Sequence, residues 1–372
     1  MNEFNFSLNK NQEQKIAWLQ LARTKGIGKQ IMKSLLAAYG TPQDVIHAFV
    51  QDIDPRLRKF CLTKRKLIEQ ELEYTEKFGA QIMLACEKDF PTSLTMLDDG
   101  PLTLTYKGNK QLLTKPSIGI VGARNASAAG MYMAANFAHE LAGQGFAIIS
   151  GLARGIDGAA HKAALKSKLT IAVIAGGINH VYPREHEALF AQIADEGLLL
   201  AEAPWGNVPK AAQFPYRNRI ISGLALGVLV IEAGLRSGSL STANYALNQG
   251  KELFVVPGSP LDPRCQGCNL LIKKGAYLVE NTNDILNELP KLVSKSSSLK
   301  ESKSMECTKA EPLMKITEVA NSLNKLLSLQ PIHAEELAMH LNVPLQLVNQ
   351  AIVELELAGL AERRLGNMVC RC

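Results

Sequence analysis

Residues 115–285 contain six short apolar runs, each ending in small or polar residues and each separated from the next by a longer mixed stretch. Residues 117–121 end in Gly122, 147–149 in Ser150-Gly151 and 170–174 in Ala175-Gly176-Gly177. Residues 198–200 lead into Ala201-Glu202, 228–231 into Glu232-Ala233 and 253–256 into Pro257-Gly258. Runs that are apolar at nearly every position suit strands covered on both faces. Amphipathic stretches between them supply the crossover helices that parallel strands need. The alternation therefore predicts an α/β fold with an extended Rossmann-like, doubly wound, mostly parallel sheet. In that architecture ligands bind outside the carboxyl ends of the strands. The small residues all fall at that end, so several loops are expected to converge on one site.

The first loop, VGARNASAAG (121–130), follows a strand and opens a helix, as a phosphate-binding turn does. It is not GxGxxG, because its glycines stand at 119, 122 and 130, and no acidic residue is placed to take a ribose. A nicotinamide oxidoreductase is set aside on that ground. The turn carries Arg124 instead, as an anion grip or as one half of a structural salt bridge. In SGLARGIDGAAH (150–161), Ser150 and Gly151 offer N–H groups with Arg154 beside them. Asp157 and His161 are four apart and share a helical face, a spacing that suits a metal or a proton relay or, with no third ligand nearby, a local pair orienting the helix. In AGGINHVYPREH (175–186), Gly176 and Gly177 let a backbone approach closely, and His180, Arg184 and His186 read as exposed.

The stretch FPYRNRIISG (214–223), with Lys210 upstream, sets Arg217 and Arg219 as one wall of a basic pocket, beside a stacking face at Phe214 and a polar contact at Asn218. Ile220 and Ile221 anchor it in the core. In EAGLRSGSLSTANYAL (232–247), Ser237, Gly238 and Ser239 precede an Ala-rich helix and cap it or offer N–H groups to an anion. No Cys–His or Ser–His–Asp constellation accompanies these loops, and only Glu232 and Glu202 are placed to act as a base. Arginines, open turns and an aromatic face equip a receptor for a polyanion with stackable bases, which fits single-stranded nucleic acid.

In this order and spacing, VGARNASAAG, SGLARGIDGAAH, FPYRNRIISG, EAGLRSGSLSTA and VVPGSPLDPRCQGCNLLIKKGA resemble the bacterial DprA/Smf family, the DNA-processing proteins of natural transformation. The resemblance spans about residues 85–285 through these five motifs and extends more loosely to both flanks. It implies an extended Rossmann-like core that binds single-stranded DNA and forms a homodimer through that core. It further implies protection of incoming strands, displacement of single-strand-binding protein and transfer to RecA, with no cofactor, no metal and no catalytic turnover. Carried over motif by motif, the strand-binding positions are Arg124, Ser150, Gly151, Arg154, Gly176, Gly177, Lys210, Phe214, Arg217, Asn218 and Arg219, with Ser237 and Gly238 lining. Three departures stand out: GAR where GSR is usual, AGGINHVYP where GTGLDxxYP is common, and QGCN in place of SGTN. None removes an arginine, but hydroxyl contacts are put in question. The alternative is an enzyme similar to nucleotide phosphoribohydrolases on a related scaffold. Those carry a PGGxGTxxE loop with a catalytic Glu, and the corresponding strand end here reads EAGLRSGSLSTA.

Both flanks read as separate pieces. Residues 1–80 form a helical domain in which IAWLQLAR, KGIGKQ and IMKSLLAAYG suggest a helix-hairpin-helix (SAM-like) unit about Gly26-Ile27-Gly28. Its turn either presents N–H groups to a phosphate or is simply tight. Residues 75–115 read as turns with one short strand. The Rossmann-like core takes 81–290, a Ser- and Lys-rich flexible linker 291–315, and a winged-helix domain 316–372. The tail's second helix, 344–359, has no Lys or Arg but carries Glu354 and Glu356. A helix that reads DNA is normally basic. The tail is therefore expected to contact protein or regulate duplex binding, with Arg363, Arg364 and Arg371 in the wing leaving weak DNA contact open.

The net charge of +6 permits a polyanionic partner without requiring one. Seven scattered cysteines make no disulfide framework and suit a reducing cytoplasm. Cys265 and Cys268, paired with Cys370 and Cys372, are a weak candidate for zinc. The longest weakly polar stretch, 220–233, is too short and too interrupted to cross a bilayer. Within it, 224–230 reads as a core strand or as a dimer face.

Overall fold

The computed structural model describes residues 12–288, 316–328, 332–341 and part of 343–371. The expected linker, 291–315, and most of the second tail helix, 344–359, lie outside the described residues. The chain divides into two compact units, Met1–Lys295 and Ser296–Cys372.

The first unit opens with four helices, α1 (Gln12–Ala22), α2 (Lys29–Tyr39), α3 (Pro42–Val50) and α4 (Arg65–Lys77). The GIG turn joins α1 to α2 as the sequence suggests, with Gly26 at φ +91, where a side chain would be strained. Thr41 and Asp44 cap α3 reciprocally, with Pro42 at its first position. A nine-stranded sheet follows: β1 (Gln81–Leu84), β2 (Thr103–Gly108), β3 (Ser117–Gly122), β4 (Ala147–Ser150), β5 (Thr170–Ile174), β6 (Leu198–Ala201), β7 (Gly227–Ile231), β8 (Glu252–Val255) and β9 (Tyr277–Leu278). Their order is β1-β2-β6-β5-β4-β3-β7-β8-β9. The strands from β6 through β9 run parallel, while β2 pairs antiparallel with β6 and β1 with β2.

The six apolar runs are β3 to β8, so the doubly wound, mostly parallel reading holds. The single strand expected between 75 and 115 is β2. The sequence reading does not contain β1 or β9.

A short helix, α5 (Thr92–Thr95), lies between β1 and β2, and the crossovers include α6 (Ala128–Gly143), α7 (Ile156–Leu165), α8 (Glu187–Glu196), α9 (Gln213–Leu224), α10 (Ser239–Asn248) and α11 (Gln266–Lys273). Strands β4 to β7 are buried at every residue, which is why they read as unbroken apolar runs. Strand β7 is a central strand, which assigns Gly227–Ile231 to the core. On one face, Ile118, Ile120, Ile148 and Leu229 pack with Phe137 and Leu141 of α6 and Ile156 of α7. On the other, Ile149, Val173, Val228 and Val230 belong to a core that includes Ile220 and Ile221 of α9 and reaches Trp18, Leu19 and Leu21 of α1.

The N-terminal helices therefore share one hydrophobic core with the sheet. Trp18 is fully buried, and its indole N–H donates to Leu102 O at 3.1 Å. Arg23 pairs with Glu71 at 2.8 Å and donates to Glu202 O at 2.9 Å. Lys29, the first residue of α2, donates to Thr95 O and Leu97 O.

The second unit contains helices Ile316–Leu326 and Ala334–Leu341. Its three-stranded antiparallel sheet places Met368–Arg371 between Ile332–His333 and Ala361–Arg364. Val319, Leu323, Leu337, Ile352 and Val369 form its core. The last two strands make the hairpin expected as a wing.

Candidate nucleic-acid interface

Successive strands step from β3 out to β6, and the chain then returns to lay β7 on the other side of β3. The crevice between the carboxyl ends of β3 and β7 is thus the topological switch point, where open α/β sheets hold ligands. A cavity of about 820 Å³ opens there. The turn after β3, the β4–α7 loop, the first half of α9 and the segment after β7 line it. Arg124 and Arg236 are exposed on its walls, and neither has an ion pair among the described residues. Arg264 also lines it but is neutralised by Asp262 at 2.8 Å. Phe214 and Tyr182 set their ring centroids 5.1 Å apart, and the Arg124 guanidinium lies 5.2 Å from the Phe214 ring centre. Unpaired cations beside two partly accessible rings offer phosphate contacts and a base-stacking face together.

A buried polar network holds this crevice in shape. Arg217 is buried and donates to Gly151 O at 2.9 Å and to Val173 O. A Cβ on Gly151 would collide with that guanidinium, so glycine is required beneath it. Asp157 accepts from the amides of Gly151 (3.1 Å) and Ala153 (3.4 Å). His161 Nε2 accepts from Leu152 N at 3.3 Å, so Nδ1 carries the proton and donates to Thr170 Oγ1 at 2.7 Å. His186 Nδ1 bonds Leu152 O at 3.0 Å, which makes it half-buried instead of exposed. Asn218 ties α9 to the start of α10 by donating to Ser241 Oγ at 2.8 Å.

Burial pulls Arg217 down to about 10, with Asp157 opposing the shift and Arg124 adding to it, so Arg217 stays charged at neutral pH. Burial raises Asp157 above the usual carboxylate range, against the pull of Arg217.

Burial, aided by His186 and Arg217, holds His161 down to about 3. The unfolded chain, with an ordinary imidazole near 6.5, takes up this proton first as pH falls. The stabilisation from neutral His161 is therefore complete above about pH 6.5 and drains away toward pH 3. His161→Gln preserves an acceptor and a donor without titrating. The stability gap between wild type and this variant, read by urea unfolding, is expected to narrow by a few kcal/mol as pH drops through that window. A gap that stays constant with pH would mean that His161 does not titrate on unfolding.

The structure brings Arg124, Phe214, Arg217, Asn218, Ser237 and Gly238 to the cavity, with Lys210 exposed between the lining residues Pro209 and Ala211. Other expected contacts lie elsewhere. Ser150 is fully buried and donates to Ile120 O at 2.6 Å. Gly151 lies under Arg217. Arg154 is exposed and paired with Glu185. Gly176 and Gly177 do admit a close backbone, but it is the chain's own 204–209 segment.

Arg217 and Arg219 do not form one wall of the pocket. Both sit on α9, where residues two apart do not face the same way. Arg219 is fully buried, bonded to Glu202 at 2.7 Å, 3.3 Å from Asp99 and stacked under Tyr216. The sequence reading missed Arg236 and Tyr182 as lining residues, although both stand inside the motifs it used. Glu232 and Glu202, the two carboxylates suggested as bases, both have partners: Glu202 holds Arg219, and Glu232 accepts from Ser127. Cys268 is buried and accepts from Ala233 N. No group of three His, Cys, Asp or Glu among the described residues is arranged to hold a metal.

Comparison with known proteins agrees with this geometry. Residues 81–290 match the family described as DNA recombination-mediator protein A. Residues 12–73 match a DprA-like N-terminal HHH domain, and 308–367 a DprA winged helix domain. DNA processing protein DprA of Bacillus subtilis is 46% identical over 214 residues, covering 57% of this chain and 72% of that protein. The X-ray structure of DNA processing protein A from Streptococcus pneumoniae is similar with TM-score 0.63 at 32% identity, covering 75% of this chain and 99% of that one. A structure of DNA processing protein A from Helicobacter pylori, concerned with its single-stranded DNA binding mode, is similar with TM-score 0.52 at 31% identity, covering 57% and 96%. No helix among the described residues is long and apolar enough to cross a membrane. Sheet order, flanking domains and sequence matches together place this chain in the DprA/Smf family of DNA recombination mediators.

Proposed function

We propose that the switch-point crevice holds single-stranded DNA and that the protein uses this grip, in the cytoplasm, to protect incoming strands and load RecA onto them without catalytic turnover. The observation that carries this reading is the juxtaposition of unpaired Arg124 and Arg236 with the Phe214–Tyr182 pair in one cavity. Phosphates would lie on Arg124, Arg236 and Lys210, and a base on Phe214. Ser237 and Gly238 supply polar groups at the start of α10, and buried Arg217 adds charge from below. The Helicobacter pylori relative, studied for its single-stranded DNA binding, supports the same choice of ligand. A homodimer through the core belongs to this reading. The sheet ends at β9, where Tyr277 and Leu278 are exposed, as is Leu270 of α11, and a second copy would dock along that edge.

Loading is tested on single strands coated with single-strand-binding protein. Adding the protein is expected to shorten the lag of RecA filament assembly, read by RecA's strand-dependent ATP hydrolysis. Direct strand binding should weaken with salt at a slope of about −2 in log–log form, as two to three phosphate contacts require. An unchanged lag despite tight strand binding would remove the loading role and leave a strand-binding protein. Release of free base from nucleoside monophosphates would favour the phosphoribohydrolase alternative.

A further inference from the structure

In a Rossmann-like fold the helix after the first strand points its N-terminus into the switch-point crevice, and nucleotide-binding members seat a phosphate there. Here that helix is α6, and the place is already taken. Glu232, the residue directly after β7, accepts from Ser127 N at 2.8 Å with one carboxylate oxygen and from the Ser127 hydroxyl with the other. Ser127 is the N-cap of α6, and its Oγ accepts from Gly130 N at 2.9 Å. Two further features are built around this carboxylate. Glu232 adopts φ +51, a left-handed conformation unfavourable for a residue with a Cβ. Position 130 is glycine, and a Cβ there would lie 2.6 Å from the Glu232 carboxyl carbon. The backbone turns out of its preferred region, and a side chain is left off the helix, so that this carboxylate can rest on the first turn of α6.

We infer that Glu232 is an anion supplied by the chain itself, and that it makes the crevice select the diester backbone of a strand over phosphomonoesters. A nucleotide or a 5′-phosphorylated strand end carries a dianion that seeks the N–H groups and positive pole of α6. Glu232 holds those donors and repels the second charge. A phosphodiester carries one charge and can be gripped from the side by Arg124 and Arg236, which do not depend on the helix end. The crevice therefore accepts internal stretches of a strand without favouring its 5′ end and is not blocked by free nucleotides. This inference rests on the crevice being the strand site.

The test compares wild type, Glu232→Ala and Glu232→Gln by calorimetric titration with dAMP. The same proteins are compared by anisotropy on oligothymidylate with and without a 5′-phosphate. Glu232→Ala frees the helix end and is expected to bind dAMP about tenfold more tightly than wild type. It should also prefer the 5′-phosphorylated strand, to which wild type is indifferent. Glu232→Gln keeps an acceptor for Ser127 N while removing the charge, and should shift in the same direction by less. It carries the test if the alanine variant does not fold. Unchanged dAMP affinity in the folded variants, or a wild type that already prefers the 5′-phosphate, overturns the inference. The dAMP titration requires no strand, so a failure of strand binding in the crevice is recognised separately.

Discussion

Reversing Arg124 and Arg236 together to Glu is expected to weaken single-strand binding by about 100-fold at moderate salt while leaving thermal stability unchanged. Both side chains are exposed, and neither has an ion pair among the described residues, so folding loses little when they change. The strand, by contrast, loses two cations and meets two carboxylates. Anisotropy across a salt series separates the two contributions. The log–log slope should become shallower by roughly 1.4, because each lost phosphate contact on a single strand removes about 0.7. Phe214→Ala provides the contrast. Losing a stacking face should cost about tenfold in affinity with the slope unchanged. Binding by the charge-reversed protein within a factor of about two of wild type would move the strand out of this crevice.

What the sequence revealed here, and what it hid, follow from two different kinds of information. Strands β3 to β8 were legible because burial on both faces leaves no polar interruption, and the small residues after them marked the edge where ligands bind. Strand β9 has two residues and β1 has four, too few to form a pattern, even though Gly79 at φ +74 ends α4 just before β1. At the site, Arg124, Phe214, Ser237 and Gly238 were legible because each follows a strand end or opens a helix. Gly176 and Gly177 were ambiguous for a physical reason: a missing Cβ tells that something approaches, but not whether it is ligand or chain. In the sequence Glu232 looks like a possible base, because its partner Ser127 stands about a hundred positions away in the chain. The reading of Arg217 and Arg219 as one wall treated RNR as if adjacent arginines shared a surface. On a helix, a step of two turns a side chain through about 200°. One arginine therefore faces the crevice, and the other is sent to the opposite side of α9.

That division makes Arg219 a test of fold against function. Its guanidinium has no exposed surface and joins Glu202, whose main-chain carbonyl in turn accepts from Arg23 of the N-terminal helices. Asp99 and the Tyr216 ring close the remaining sides. Arg219→Met keeps much of the volume but strands Glu202 beside an apolar side chain. Loss of one partner from a buried pair costs about 3–5 kcal/mol, and the partial exposure of Glu202 and Asp99 places this case near the lower end. Urea unfolding is expected to show a loss of about 3 kcal/mol, while the folded fraction binds single strands within about threefold of wild type. Adding Glu202→Gln removes the stranded charge and should restore part of the loss, an interaction that a double-mutant cycle isolates. If Arg219→Met instead leaves stability intact and abolishes strand binding, the arginine must leave its pocket to hold DNA. If stability falls and strand binding holds, the basic grip belongs to Arg124, Arg217 and Arg236, and Arg219 serves to fasten α9 and the N-terminal helices to one another through Glu202.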